Sequence, residues 1–222
     1  VDDFRDTNPP SNPELLKALA DDFAKQGHRL KPLIRTILNS HAYQLAAEEP
    51  KQSPSAANPD RYFVKAAVRM LAAEQVLDAV SLATGVPESF KGFPAGTRAV
   101  DLPEGGIDHP FLQAFSRPVR DVVCECARED DPSLPQVLHM LNNAGVLAKV
   151  RSAKGHVALW LKEGKSTEEI VERIYLATLS RRPTPHERDL VKKHLSTIED
   201  KAAGLQDVQH ALLNVNEFLL RH

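Results

Sequence analysis

Two cysteines separated by a single residue, Cys124 and Cys126, are the sharpest chemical feature of this 222-residue chain. Arg117, Arg120 and Arg128 stand close by in sequence, and the acidic run Glu129 to Asp131 follows. Two thiols at this spacing are neither the C-x-x-C of dithiol oxidoreductases nor the C-x-x-C-H of covalent haem attachment. A bridge between them closes a small, strained ring, which is easily reduced and suits exchange better than stapling. Arg120 and Arg128 lower a thiolate pKa if they point at it, while the carboxylates raise it. The plain alternatives are two small buried apolar side chains, or a thiol paired outside this chain.

His109 and His139 flank the cysteines, and the four together have the donor types of a tetrahedral zinc site. Their spacing resembles no zinc motif, so no metal is expected. Glu74 and Asp78 lie four residues apart and project from one helix face. Such a pair can share a proton or hold a hard cation, but no further oxygen ligands lie near them in sequence. The plainer expectation is that they pair with Arg69, or with Arg98 of the long loop, in which case they anchor that loop. Gly-rich phosphate loops, the G-x-S-x-G elbow and H-E-x-x-H are all missing. Arg181 and Arg182 precede a helix start and read as a turn holding helix termini together.

The elements that must position these residues read as helices. Ser11, Asn12, Pro13 and Glu14 make a start signal, with Gly27 as the stop. A second helix is expected over 30–43, with Leu33, Ile34, Ile37 and Leu38 apolar. Residues 50–59 hold no large apolar side chain and read as a loop. A long helix is expected over 60–84, with Phe63, Ala66, Ala67, Met70, Ala73, Leu77 and Val80 as its buried stripe. Helical periodicity lapses over 86–131, where 98–102 reads as a short strand. Irregular connections of this length tend to carry function. Phe90, Phe93, Phe111, Leu112 and Phe115 supply apolar anchors, so the loop is expected to pack. Leu134, Val137, Leu138 and Leu141 open another helix, and further ones follow over 155–162 and after the capping boxes at Ser166 and Thr184. Gly204 is read as the break before a last helix, with Leu205, Val208, Leu212, Val215 and Leu219 in one stripe.

The formal charge is −2, from 28 basic and 30 acidic residues with signs interspersed, which argues against a nucleic-acid surface. No apolar run reaches the roughly eighteen residues of a membrane span. Two cysteines leave the redox compartment open.

Several blocks together resemble one family. Arg120, Cys124, Cys126, Arg128, Pro132, Ser133, Gln136, Leu138 and Asn142 resemble the signature of a planctomycete-type domain of unknown function, number 1553. VDDFRDTNPPSNPELLKALADDF (1–23), LIRTILNSHAYQL (33–45), PAGTRAVDLP (94–103), YLATLSRRPTPHE (175–187) and ALLNVNEFLLRH (211–222) follow in the family's order, and the Glu74 and Asp78 pattern belongs to it too. The resemblance implies a C-terminal portion of a large exported protein in the periplasm or cell envelope. It implies upstream domains of the same polypeptide as partners, a cytochrome c-like domain among them. It implies no activity.

The expected fold is all-α: an irregular bundle of about seven or eight helices in a single domain, 1–222. The long ordered loop 86–131 divides its helical parts 12–84 and 133–222, with little or no strand. The expected function is a structural or interaction domain without catalysis and without a cofactor of its own. Its candidate binding residues are Glu74, Asp78, Arg98, Arg117, Arg120, Cys124, Cys126 and Arg128. The alternatives are a thiol-redox or electron-transfer accessory domain using the two cysteines, and an envelope polysaccharide-processing domain, for which a pair of carboxylates about 5–10 Å apart is required.

Overall fold

A computed structural model describes residues 9–10, 12–47, 65–66, 68–103, 107, 109–114 and 143–221. Among these residues lie ten α-helices, one 3-10 turn and two strands of two residues each, so the chain is all-α. It divides into two compact units, the first ending at Arg69 and the second running from Met70 to Arg221.

The first unit holds α1 (Pro13–Lys25) and α2 (Leu30–Leu38). Pro13 opens α1, although the Asn12 side chain makes no capping bond. The exit is a Schellman turn: His28 N donates to Phe23 O at 2.9 Å and Gly27 N to Ala24 O at 3.0 Å. Gly27 supplies the φ of +70° that this turn requires. α2 is shorter than its periodicity predicts. Ser40 Oγ donates to Ile37 O at 2.7 Å and accepts from Tyr43 N at 3.2 Å, so a side chain takes over the backbone groups that would continue the helix. Neither helix contains a buried residue.

The second unit begins with a correction. Residues 60–64 and 67 of the helix expected over 60–84, with Phe63 and Ala67, lie outside the described residues; Arg69–Met70 is extended, and α3 runs Ala73–Thr84. Leu71 N donates to Leu219 O at 3.0 Å, so tertiary pairing overrides the helical preference of the alanines and leucines before α3. Gln75 Oε1 accepts from Ala72 N at 3.0 Å and helps set the start. A second Schellman turn ends α3, with Val86 N on Ser81 O and Gly85 at φ +72°. The expected strand at 98–102 is instead a 3-10 turn, Ala99–Asp101. The other described helices of this unit are α4 (Pro110–Ala114), α5 (Ala144–Val150), α6 (His156–Lys162), α7 (Thr167–Leu179), α8 (Pro185–Leu195), α9 (Lys201–Leu213) and α10 (Asn216–Leu219).

Several helix starts follow their local chemistry. Ser166 and Glu169 form one reciprocal capping box, and Thr184 and Glu187 form the next. Asn143 caps α5 through Val146 N, and Asp200 caps α9 through Ala202 N and Ala203 N. Gly204, expected to be a break, lies within α9. A Cβ there would approach Leu195 Cδ2 to 2.8 Å, so the glycine permits close packing. The apolar stripe expected to run on from Leu205 is interrupted at Asn214, the cap after α9, and Val215 is the cap before α10.

Two apolar clusters hold this unit. One joins α3, the segment from Phe90 to Leu102, α4, α5, Leu213 and α10. The other joins α6, α7 and Leu205, Val208 and Leu212 of α9. α9 thus contributes to both. Within the described part of the long connection, Phe90, Leu102, Phe111 and Leu112 are buried. Each such burial stabilises by about 1.5–3 kcal/mol, which holds an irregular segment against its conformational entropy.

Candidate functional site

The sequence-derived candidates separate into two groups. Arg117, Arg120, Cys124, Cys126 and Arg128 lie outside the described residues, as do Phe115, His139 and the expected helix start at Leu134. Glu74, Asp78 and Arg98 are described. Glu74 is half-buried in the first turn of α3. One turn later, the Asp78 carboxylate accepts from Ala99 N at 2.7 Å and Val100 N at 3.1 Å. It therefore caps the 3-10 turn and anchors the loop through backbone amides, not through the Arg98 side chain that was expected to do so. Arg98 turns instead to Asp101, with hydrogen bonds of 2.9 and 3.0 Å. That hydrogen bond chiefly raises the Arg98 pKa and lowers that of Asp101. With its oxygens committed to amides, Asp78 is a positioning group.

A second polar cluster escaped the sequence reading. Lys149, on α5, is 7% exposed although the residues around it on that helix are apolar. Its Nζ donates to Val86 O at 2.7 Å and to Ser81 Oγ at 3.3 Å, and meets Glu88 Oε2 at 3.3 Å. Three acceptors match the three donors of an ammonium. The other Glu88 oxygen faces His109 Nε2 at 3.9 Å, and the His109 ring leans on Phe90. His109 Nδ1 is buried without a hydrogen-bond partner among the described residues. The proximity of Ser81 to Lys149 suggests a serine–lysine pair, but the bonding argues otherwise. Ser81 Oγ donates to Leu77 O at 3.0 Å, and its oxygen receives the lysine proton. A nucleophile needs the reverse polarity, with the amine taking the hydroxyl proton. The cluster ties α5 to the end of α3 and the segment behind it. One signal was present in sequence: Lys149 falls on the face shared by Val146 and Val150.

A third cluster surrounds Arg181. Its guanidinium donates to Glu187 at 2.7 and 2.9 Å and to Glu217 at 2.6 and 2.8 Å. Glu187 also accepts from Thr184 N at 2.7 Å. The Arg181 hydrogen bonds hold the Glu187 carboxyl down at about 2 and raise the arginine. Tyr175 packs under the guanidinium, and Arg182 meets Glu172 at 2.9 Å. Arg181 joins helix starts, as its position before one suggests, whereas Arg182 meets the middle of α7.

Finally, the Ala83 carbonyl accepts from Gln209 Nε2 at 2.9 Å and faces His156 Nδ1 at 3.1 Å. A carbonyl can only accept, so Nδ1 carries the proton of that bond. The His156 ring stacks on Trp160 and covers Gly85. Among the described residues, no three His, Cys, Asp or Glu side chains converge as metal ligands.

The described part of the chain is all-α, and its Asp78, Lys149 and Arg181 brace loops and helix ends. The chain belongs to the family described as protein of unknown function (DUF1553), which it matches over residues 1–195. No curated protein and no solved structure matches it.

Proposed function

We propose that this chain is a non-catalytic structural and interaction domain of a larger exported protein, set at the cell envelope beside upstream domains of the same polypeptide. One observation carries the reading. The α1 and α2 hairpin has no buried residue, and it leaves Leu15, Leu16, Leu30, Ile34, Ile37, Leu38 and Tyr43 exposed. Apolar side chains concentrated on two adjoining helices mark an interaction surface. The second unit supports the reading from the other direction, because Asp78, Lys149 and Arg181 are spent on internal bracing.

The test is Leu16→Asp and Ile34→Asp in the full 222-residue chain. Both are expected to leave the thermal transition unchanged while reducing self-association in sedimentation and binding of an apolar dye. A core site would instead cost roughly 3 kcal/mol or more. A loss of that size would show that these side chains hold the fold together and would refute the reading.

A further inference from the structure

The exposed face of α2 has a chemistry of its own. Residues 28–47 include Arg29, Lys31, Arg35, His28 and His41 but no aspartate or glutamate. Leu30, Ile34, Ile37 and Leu38 recur at helical spacing and form one stripe, 63, 50, 38 and 43% exposed. Tyr43, in the turns just beyond, is 61% exposed. Arg29, Lys31 and Arg35 are exposed beside the stripe. In the neighbouring helix Lys17 meets Asp21 at 3.9 Å and Gln26 donates to Asp22 at 2.6 Å, while Glu14 in its first turn is exposed.

An occupant of this face must therefore be apolar where it meets the stripe and anionic where it meets the cations. A standard protein partner covers about 20–30 residues a side. α2 offers four apolar side chains, with Lys31 and Arg35 on it and Arg29 at its cap, along about 13 Å. α2 without Leu15 and Leu16 of α1 is small for a protein pair. It is sufficient for an amphipathic helix lying in a lipid interface, where a cationic flank and an apolar stripe act together. No described helix is long and apolar enough to cross a membrane, so the contact concerns the surface.

We propose that α2 seats this domain on an anionic lipid surface. Leu30, Ile34, Ile37 and Leu38 enter the boundary between headgroups and acyl chains, and Arg29, Lys31 and Arg35 meet lipid phosphates. The proposal rests on the reading of the hairpin as an interaction element and names what it binds.

Flotation of the 222-residue chain with vesicles tests it. One set is phosphatidylcholine alone, and the other contains about a third phosphatidylglycerol as the anionic probe. The chain is expected to float with the anionic vesicles, to stay behind with the neutral ones, and to release at high salt. Each cation contributes about fivefold, so Lys31→Glu with Arg35→Glu should weaken binding by at least about tenfold. Ile34→Asp should abolish it. Both variants are to be matched to the parent chain by circular dichroism and thermal unfolding. Failure to float, or flotation that these variants leave unchanged, overturns the lipid proposal. If Ile34→Asp lowers self-association while no vesicle is bound, the lipid proposal fails and the interaction reading stands. If Ile34→Asp unfolds the chain, both fail.

Discussion

Replacing Glu187 with glutamine should make the chain less stable at neutral pH and should remove part of its sensitivity to acid. Glu187 accepts from Arg181 and from Thr184 N, and its pKa falls from an ordinary 4.5 to about 2. A carboxylate depressed in the folded state contributes stability that is complete above its unfolded value. That contribution disappears as the pH falls through the folded value. The window therefore runs from 4.5 down to about 2. At about 1.4 kcal/mol for each pH unit, the ceiling is roughly 3 kcal/mol. A quarter of the side chain still meets solvent, at 24% exposure. Screening then brings the contribution to about 1–2 kcal/mol. Glutamine keeps an oxygen for Thr184 N but loses the charge facing Arg181. The assay is urea unfolding, followed by circular dichroism, of both proteins across the window. The parent chain should exceed Glu187→Gln by about 1–2 kcal/mol near neutrality, equivalent to roughly 2–8 °C in Tm. The difference should shrink towards zero at the acid end. Curves that stay parallel throughout would show that the carboxylate charge is not what Arg181 stabilises.

Three other substitutions address the remaining braces. Gly85→Ala places a Cβ against the His156 ring at a φ of +72°, and should cost about 2–4 kcal/mol by thermal unfolding. A change below about 0.5 kcal/mol would contradict that packing. Lys149→Met keeps most of the volume but leaves Glu88 and Val86 O without their cation, and should cost about 2–4 kcal/mol. Faster amide exchange over 86–90 should accompany it, and unchanged exchange there would refute the tie. Asp78→Ala removes the acceptor for Ala99 N and Val100 N. It should cost about 1–2 kcal/mol and raise exchange at those two amides above all others.

What was legible in the sequence is what depends on near neighbours. The boxes at Ser166 and Thr184 pair residues three apart, and both formed as expected. Helical periodicity likewise indicated an all-α chain. The misreadings occur where distant groups decide. Residues before Ala73 have the composition of a helix, yet Leu71 pairs with Leu219, and no local pattern announces that. Gly204 resembles punctuation until Leu195 is seen against it. Asp78 was recognised as a loop anchor, but its partners are amides, which every residue carries and no side-chain pattern displays. Lys149 reads as a surface lysine unless its place beside Val146 and Val150 is weighed.

The double occupancy of the Ala83 carbonyl bears on how the chain acquires its structure. His156 lies 73 residues further along and Gln209 126 residues further along. Until both have been synthesised, the last turn of α3 lacks two of the groups that close over it. Closing loops of that length delays folding, because the entropy is lost before the contact is gained. The cluster around Val76, Leu77 and Val80 therefore lacks the cover of Leu213, Phe218 and Leu219 until the C-terminal helices are made. A chain truncated before α9 would carry that uncovered surface permanently, and its fate would be aggregation rather than partial function.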